Sequence, residues 1–182
     1  MPVLNGLQTE KLLDVVESVR KNWETGKTVW QATATWKDGF RVETESRGFK
    51  IRADEPEMLV GTNTAANPVE MVLQAYGACL AIGYAMNAAV RGIKIRDLKI
   101  DVEGEIDLPG FLGLEPPAEL NMDALPGFKN VIARVKIEAD ADAKTLRELH
   151  EHVVKTSPVG VTLSRPVTIK TELEVLQTRS AA

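Results

Sequence analysis

The stretch NPVEMVLQAYGACLAIGYAMNAAVRG, from Asn67 to Gly92, decides how this chain folds. From Met71 to Val90 it contains no charged residue. Asn67-Pro68, with Glu70 in the following turn, is a typical start of a helix. The sequence therefore predicts a long helix that is apolar on all sides. Such a helix is buried in a protein core or a subunit interface, or it crosses a membrane.

The composition of this stretch disfavours the membrane. It is rich in Ala and Gly rather than Leu, and it contains Gln74 and Asn87. Ala and Gly contribute little to the free energy of membrane insertion. We therefore expect a buried helix and no membrane partner.

The chain as a whole has the composition of one soluble globular domain. It has 182 residues, of which 44% are hydrophobic and 26% are charged. The net charge of −4, with cations interleaved among acids, argues against a nucleic-acid partner. The single cysteine excludes an intramolecular disulfide and multi-cysteine zinc sites, and fits the reducing cytoplasm. No secretory signal, cofactor or metal is predicted.

The periodicity of apolar residues predicts the remaining elements. Helical spacing occurs at Gln8 to Arg20 and at Ala141 to Lys155. Strand alternation occurs at Thr28 to Trp36, Phe40 to Ser46, Phe49 to Arg52, Ile93 to Ile106, Val131 to Ile137 and Val167 to Val175. Residues 107–128 are rich in Pro and Gly and are predicted as a loop or lid, with a short helix at Pro117 to Met122 as a second interpretation. Strands in runs beside two main helices indicate an α+β domain, with residues 1–26 as an N-terminal extension of a core at 28–175.

Two motifs carry a family resemblance. DEPEMLVGTNTAANPVEMVLQAYGACL (54–80) and TSPVGVTLSRPV (156–167) resemble the OsmC/Ohr family of osmotically induced and organic-hydroperoxide-resistance proteins, with this chain as a divergent single-cysteine member. The resemblance implies an intertwined homodimer, in which two long helices per chain are buried between shared antiparallel sheets. It also implies that Cys79 lies in an active site at the dimer interface.

Three residues depart from the peroxidase pattern of that family. Ser157 stands where a second cysteine would close a disulfide. The position of the family's arginine falls most nearly on Lys37, and that of its glutamate falls on Val69, with Glu70 one residue further on. A shift of one residue rotates a helical side chain by about 100°. Because serine forms no disulfide and lysine lacks the planar fork of arginine, a two-cysteine peroxidase is disfavoured.

A thiol in a helix interior needs a neighbouring base or cation for its activation. His150 lies seven residues before Ser157, about two turns, and can share its face. Glu70 is the other candidate, although a carboxylate at a helix start also has a purely structural use. His150 and His152 point to different faces of a helix, so we predict no metal site there.

Three functions are compatible with these residues. We favour a cysteine-nucleophile hydrolase for a small apolar or aromatic molecule, in which Cys79 attacks a carbonyl and His150 or Glu70 acts as the base. Ser157 or Lys37 would then stabilise the oxyanion. The first alternative is a one-cysteine organic hydroperoxide reductase that is recycled by an external thiol. The second alternative is a non-catalytic dimer that binds a small molecule.

Overall fold

The computed structural model of the chain describes residues 3–117, 119 and 124–176. The helices are α1 (Thr9–Lys21), α2 (Pro68–Val90), α3 (Leu108–Phe111), α4 (Ala143–Thr156) and α5 (Pro158–Leu163). The strands are β1 (Val3–Leu4), β2 (Leu7–Gln8), β3 (Thr33–Asp38), β4 (Arg41–Ser46), β5 (Phe49–Ala53), β6 (Ile95–Ile106) and β7 (Phe128–Ala139). Short 3-10 turns occupy Trp23–Gly26 and Glu57–Leu59.

The strands are arranged in separate antiparallel sheets. Strands β3, β4 and β5 form a meander, β6 and β7 form a long hairpin, and β1 pairs with β2. Helix α2 packs on β6, while α4 and α5 pack on α2. Runs of strands beside separate helices confirm the predicted α+β class.

The start of α2 is a complete capping box, as its sequence indicates. The side chain of Asn67 accepts a hydrogen bond from the backbone N–H of Glu70 at 2.8 Å. The carboxylate of Glu70 accepts one in return from the backbone N–H of Asn67 at 2.9 Å. Two otherwise unpaired donors of the first turn are thereby satisfied, which fixes the residue at which the helix begins.

The loop before α2 is organised around Asp54. This carboxylate is 1% exposed and accepts hydrogen bonds from the backbone N–H of Glu55 and from the N–H and hydroxyl groups of Thr62 and Thr64. The Thr62 hydroxyl and the other donors hold the pKa of Asp54 far below its usual range. The loop therefore depends on an ionised carboxylate.

The core lies between α2, α4 and the β6–β7 hairpin. Its buried members are Leu80, Tyr84, Ala88, Ile93, Leu149 and Val153. Gly83 lets the two helices approach closely, since a Cβ at this position would lie 3.0 Å from Cγ1 of Val153. The predicted helix over residues 141–155 is thus present as α4, with Leu149 and Val153 on its buried side.

One side of α2 is not covered by the described residues of its own chain. Its buried residues are Leu80, Tyr84, Asn87, Ala88 and Ala89. On the opposite side Ile82 is 70% exposed, and Met86 and Val90 are exposed as well. α2 is also the one helix of the described chain that is long and apolar enough to cross a membrane. The helix has an N-cap and packs on both α4 and β6. These are the features of a core helix that has one face exposed.

The predicted last strand, Val167 to Val175, is wrong for the single chain. This segment is not paired with any strand in the described residues, and its alternating apolar side chains are 53–88% exposed. A strand requires a hydrogen-bonded neighbour, and none of the described strands pairs with this segment. Residues 28–32 of the predicted first strand are likewise unpaired, and β3 begins at Thr33.

The remaining predictions of elements concern the two flanking regions. The N-terminal helix is present as α1, one residue displaced, with no buried residue. The side chain of Asn5 fastens this extension by hydrogen bonds to the backbone of Ile93 and Ile95. In the predicted loop, α3 occupies Leu108–Phe111. The short helix predicted at Pro117 to Met122 falls mostly outside the described residues.

We expect Asp54→Asn to lower the melting temperature at pH 7. The amide of Asn replaces one acceptor oxygen with an NH₂ donor, which cannot accept the hydrogen bonds that the N–H and hydroxyl groups give to the carboxylate. In the native protein the low folded pKa of Asp54 adds stability that is complete above the unfolded value of about 3.9. This contribution is lost as the pH falls toward the folded pKa.

Melting curves between pH 7 and pH 2 check both effects. The variant should show a shallower acid dependence than the wild type. Asp97→Asn, at an exposed aspartate of β6, is the control and should leave both curves unchanged. Equal acid dependence in the wild type and Asp54→Asn would contradict the role of the loop carboxylate.

Candidate active site around Cys79

The thiol of Cys79 and the hydroxyl of Ser157 are in contact. Their Sγ and Oγ atoms lie 3.3 Å apart, although the residues are 78 positions apart in sequence. Ser157 is 4% exposed, and Cys79 is half-buried. The packing of α2 against α4 and α5 thus brings together the two residues to which the sequence analysis gave the attacking and resolving positions.

Ser157 is held by a local motif in the segment TSPVG. α4 ends at Thr156, and Ser157 caps the next helix, which starts at Pro158. The oxygen of Ser157 accepts a hydrogen bond from the backbone N–H of Gly160 at 3.1 Å. Since this bond uses a lone pair, the hydroxyl proton is free to point at sulfur. The pair therefore offers a thiolate one donor that is fixed in place.

Cys79 lies at the edge of the open face of α2. At about 100° per residue, its direction falls between the side of Tyr76 and Gly83, which face the core, and the exposed side of Ala75 and Ile82. A molecule that approaches over the open face can reach the sulfur without crossing the core. A second protein packed on that face would border the same atom.

Glu70 and Lys37 lie away from Cys79 in one chain. Glu70 is nine residues earlier on α2, about 13.5 Å along its axis, and its carboxylate is engaged in the capping box. It lines a cavity of about 890 Å³ together with Leu73, Gln74 and residues of β6. Lys37 is paired with Glu43 at 3.7 Å, in a separate concavity on the β3–β5 meander. The protomer does not assemble these residues with the thiol.

His150 is bound to a residue that the sequence analysis did not consider. Its Nδ1 lies 2.5 Å from the hydroxyl of Tyr84, and the two rings stack with centroids 6.2 Å apart. Tyr84 is 1% exposed, and burial raises the pKa of its hydroxyl to about 12. Tyr84 therefore keeps its proton at neutral pH, and its hydroxyl shares a hydrogen bond with Nδ1 of His150. Among the described residues, Ser157 is the one side chain that hydrogen-bonds to Cys79.

The described part of the chain contains no group of three or more His, Cys, Asp or Glu residues that could hold a metal ion.

The comparisons with known proteins agree on one family. A family profile described as OsmC-like protein matches residues 61–172, which include both Cys79 and Ser157. No protein of the curated set matches the sequence significantly.

Several solved structures share the fold. An OsmC-like protein from Mycoplasma pneumoniae is 19% identical, with a TM-score of 0.63 over 76% of this chain and 89% of that one. An organic hydroperoxide resistance protein from Legionella pneumophila is 20% identical, with a TM-score of 0.54 over 75% of this chain and 89% of that one. A further organic hydroperoxide resistance protein, from Elizabethkingia anophelis, is 19% identical with a TM-score of 0.55 over 74% and 87%. The profile match over more than half of the chain, on a fold that these structures share, shows that the chain belongs to the OsmC-like protein family.

Proposed function

We propose that this protein is a one-cysteine reductase of organic hydroperoxides, active as a homodimer and recycled by an external thiol. The observation that carries the proposal is the 3.3 Å contact between Cys79 and Ser157, in a chain that has one cysteine and an OsmC-like fold. The peroxide-related names of structural neighbours from two organisms lend support. Such a protein needs a thiol pool, which the cytoplasm provides.

The reaction follows from the chemistry of a single thiol. The thiolate of Cys79 attacks one oxygen of the hydroperoxide, the O–O bond breaks, and the other oxygen takes a proton and leaves as an alcohol. Cys79 becomes a sulfenic acid. One external thiol then displaces water to form a mixed disulfide, and a second thiol releases Cys79 and leaves as a disulfide. Two electrons from two external thiols thus reduce one peroxide bond.

Ser157 fits the first step as a hydrogen-bond donor. Its oxygen is held by the N–H of Gly160 and lies 3.3 Å from the sulfur. Because a thiolate has no proton, the hydroxyl is the donor in that state. A donor to a charged acceptor stabilises that charge more strongly than a neutral pair does. We assign Ser157 the role of holding the thiolate, in place of the disulfide partner that a second cysteine would provide.

Hydrolysis, which the sequence analysis favoured, receives less support from one protomer. Deacylation of a thioester requires a base that activates water. In the described residues His150 is engaged by Tyr84 and Glu70 by Asn67, and neither contacts Cys79. Peroxide reduction needs no such base once the thiolate is formed. The geometry therefore supports the redox reaction better.

A second copy of the chain is part of the proposal. The open face of α2 exposes Ile82, Met86 and Val90, while Ala75 and Ala78 allow another helix to approach closely. The segments 28–32 and 165–176 pair with no strand among the described residues, so their backbone groups are available to pair with strands of a second chain. We infer that a second copy covers this face, completes the sheets and encloses Cys79. In this arrangement Lys37 and Glu70 approach the thiol of the other copy across the interface.

We expect cumene hydroperoxide to convert Cys79 to a sulfenic acid at least about tenfold faster than free cysteine at pH 7, as a stabilised thiolate requires. A dimedone-type trap and intact-mass analysis measure the adduct. Cys79→Ser should give none. An activated acyl ester is tested in parallel, and its catalytic turnover without sulfenic acid formation would favour the hydrolase instead. A rate equal to that of free cysteine would contradict the proposal.

Ser157→Cys tests the resolving position. Because Oγ of Ser157 lies 3.3 Å from the sulfur, S157C should close a disulfide with Cys79 after mild oxidation. The oxidised variant should lose about 2 Da and both titratable thiols. Val154→Cys, on the same helix but exposed, should keep its thiols as the control. Two free thiols in oxidised S157C would show that the observed approach is not maintained.

Ile82→Glu tests the second copy. A carboxylate in the middle of an apolar interface is strongly disfavoured. We therefore expect the dissociation constant of the dimer to rise by a factor of about 100 or more. Light scattering over a concentration series measures the change. Ala143→Glu, at the exposed start of α4, should leave the mass unchanged. A wild-type protein that is monomeric at all concentrations would contradict this part of the proposal.

A further inference from the structure

We propose that the hydrogen bond between Tyr84 and His150 positions Ser157 on Cys79, and so controls the reactivity of the thiol from a distance. This inference rests on the proposed function of Cys79. It assigns His150 a positioning role in place of the predicted role of base.

The two polar contacts bracket the crossing of α2 and α4. Along α2 they lie at Cys79 and, five residues later, at Tyr84, about 7.5 Å further. Along α4 they occur in reverse order, at Ser157 and then at His150, so the two helices run antiparallel. The Tyr84–His150 bond therefore holds one end of the crossing and the Cys79–Ser157 contact lies at the other.

Between these contacts the helices touch through apolar atoms. The close approach of Gly83 to Val153 fixes how near the helices lie, and Leu80 and Leu149 pack around it. Apolar packing is not directional, so it resists separation of the helices more than a small rotation of α4 about its axis. A hydrogen bond is directional, with a narrow range of distance and angle. Tyr84 and His150 supply the restraint that the apolar contacts lack.

Burial makes this bond important. Tyr84 is enclosed, and a buried hydroxyl without a hydrogen-bond partner is destabilising. Nδ1 of His150 is that partner. This ring nitrogen is therefore engaged by Tyr84 and does not contact Cys79. Loss of the bond would free α4 to rotate and would move the hydroxyl of Ser157 relative to sulfur.

The test measures alkylation of Cys79 by iodoacetamide across a range of pH. In Tyr84→Phe we expect the rate at pH 7 to fall about threefold to tenfold, and the rate–pH curve to move to higher pH, as expected when one stabilising hydrogen bond is lost. His150→Phe keeps a ring but has no atom that hydrogen-bonds to the hydroxyl of Tyr84, and it should behave alike. His150→Asn restores a hydrogen-bonding group near the position of Nδ1 and should recover most of the rate.

A double-mutant cycle shows whether the effect passes through Ser157. Ser157→Ala should itself slow alkylation, and Tyr84→Phe should add nothing in that background. Additive losses, or a wild-type curve in Tyr84→Phe and His150→Phe, would overturn the positioning role. Since His150 is exposed, its variants carry the test even where Tyr84→Phe does not fold.

These experiments distinguish failure of the positioning role from failure of the proposed peroxidase function. A protein that forms no sulfenic acid but shows the coupled loss of alkylation would refute the peroxidase and support the positioning contact. A protein that reduces peroxide with unchanged rates in these variants would refute the positioning contact alone.

Discussion

The unequal surroundings of α2 are the constraint on which the rest of this structure depends. A helix with twenty uncharged residues between Met71 and Val90 is stable only where apolar groups surround it. Its own chain supplies them on one side, through α4, α5 and the β6–β7 hairpin. The other side ends in Ile82 and Met86, which are left exposed. Cys79 lies at the boundary between these two sides. Its access to solvent therefore depends on whether the exposed side of α2 is covered.

The packed side of α2 explains the geometry of the thiol. Gly83 sets the distance between α2 and α4, and the sequence TSP ends α4 and begins α5 within a single residue. Ser157 is thereby both a helix cap and the neighbour of Cys79. A side chain that both caps a helix and contacts a neighbouring thiol has little conformational freedom. This restriction is what gives one ordinary hydroxyl a defined direction relative to sulfur.

Much of the fold could be predicted from local sequence. Asn67, Pro68 and Glu70 mark the start of α2 unambiguously, and the alternation in residues 93–106 and 131–137 predicts the long hairpin with errors of a few residues. The segment 167–175 has the same alternation and pairs with none of the described strands. Alternation reports that a segment suits a sheet, but it does not say which chain contributes the neighbouring strand.

The candidate site was harder to predict. The two motifs were enough to bring Cys79 and Ser157 together, because both belong to one recognisable pattern. The bond between Tyr84 and His150 depends on how two helices cross, which residue spacing on either helix does not reveal. Similarly, the spacing of residues in the sequence does not reveal that Lys37 pairs with Glu43 or that Glu70 is engaged in the capping box, both away from the thiol.

The solitary sulfur has a practical consequence for experimentalists. Because the chain has one cysteine and this residue borders the open face of α2, a maleimide dye or spin label attaches at a single, known place without any engineering. Its fluorescence anisotropy or electron resonance spectrum would register any molecule that covers this face. The native sequence is thus already its own reporter.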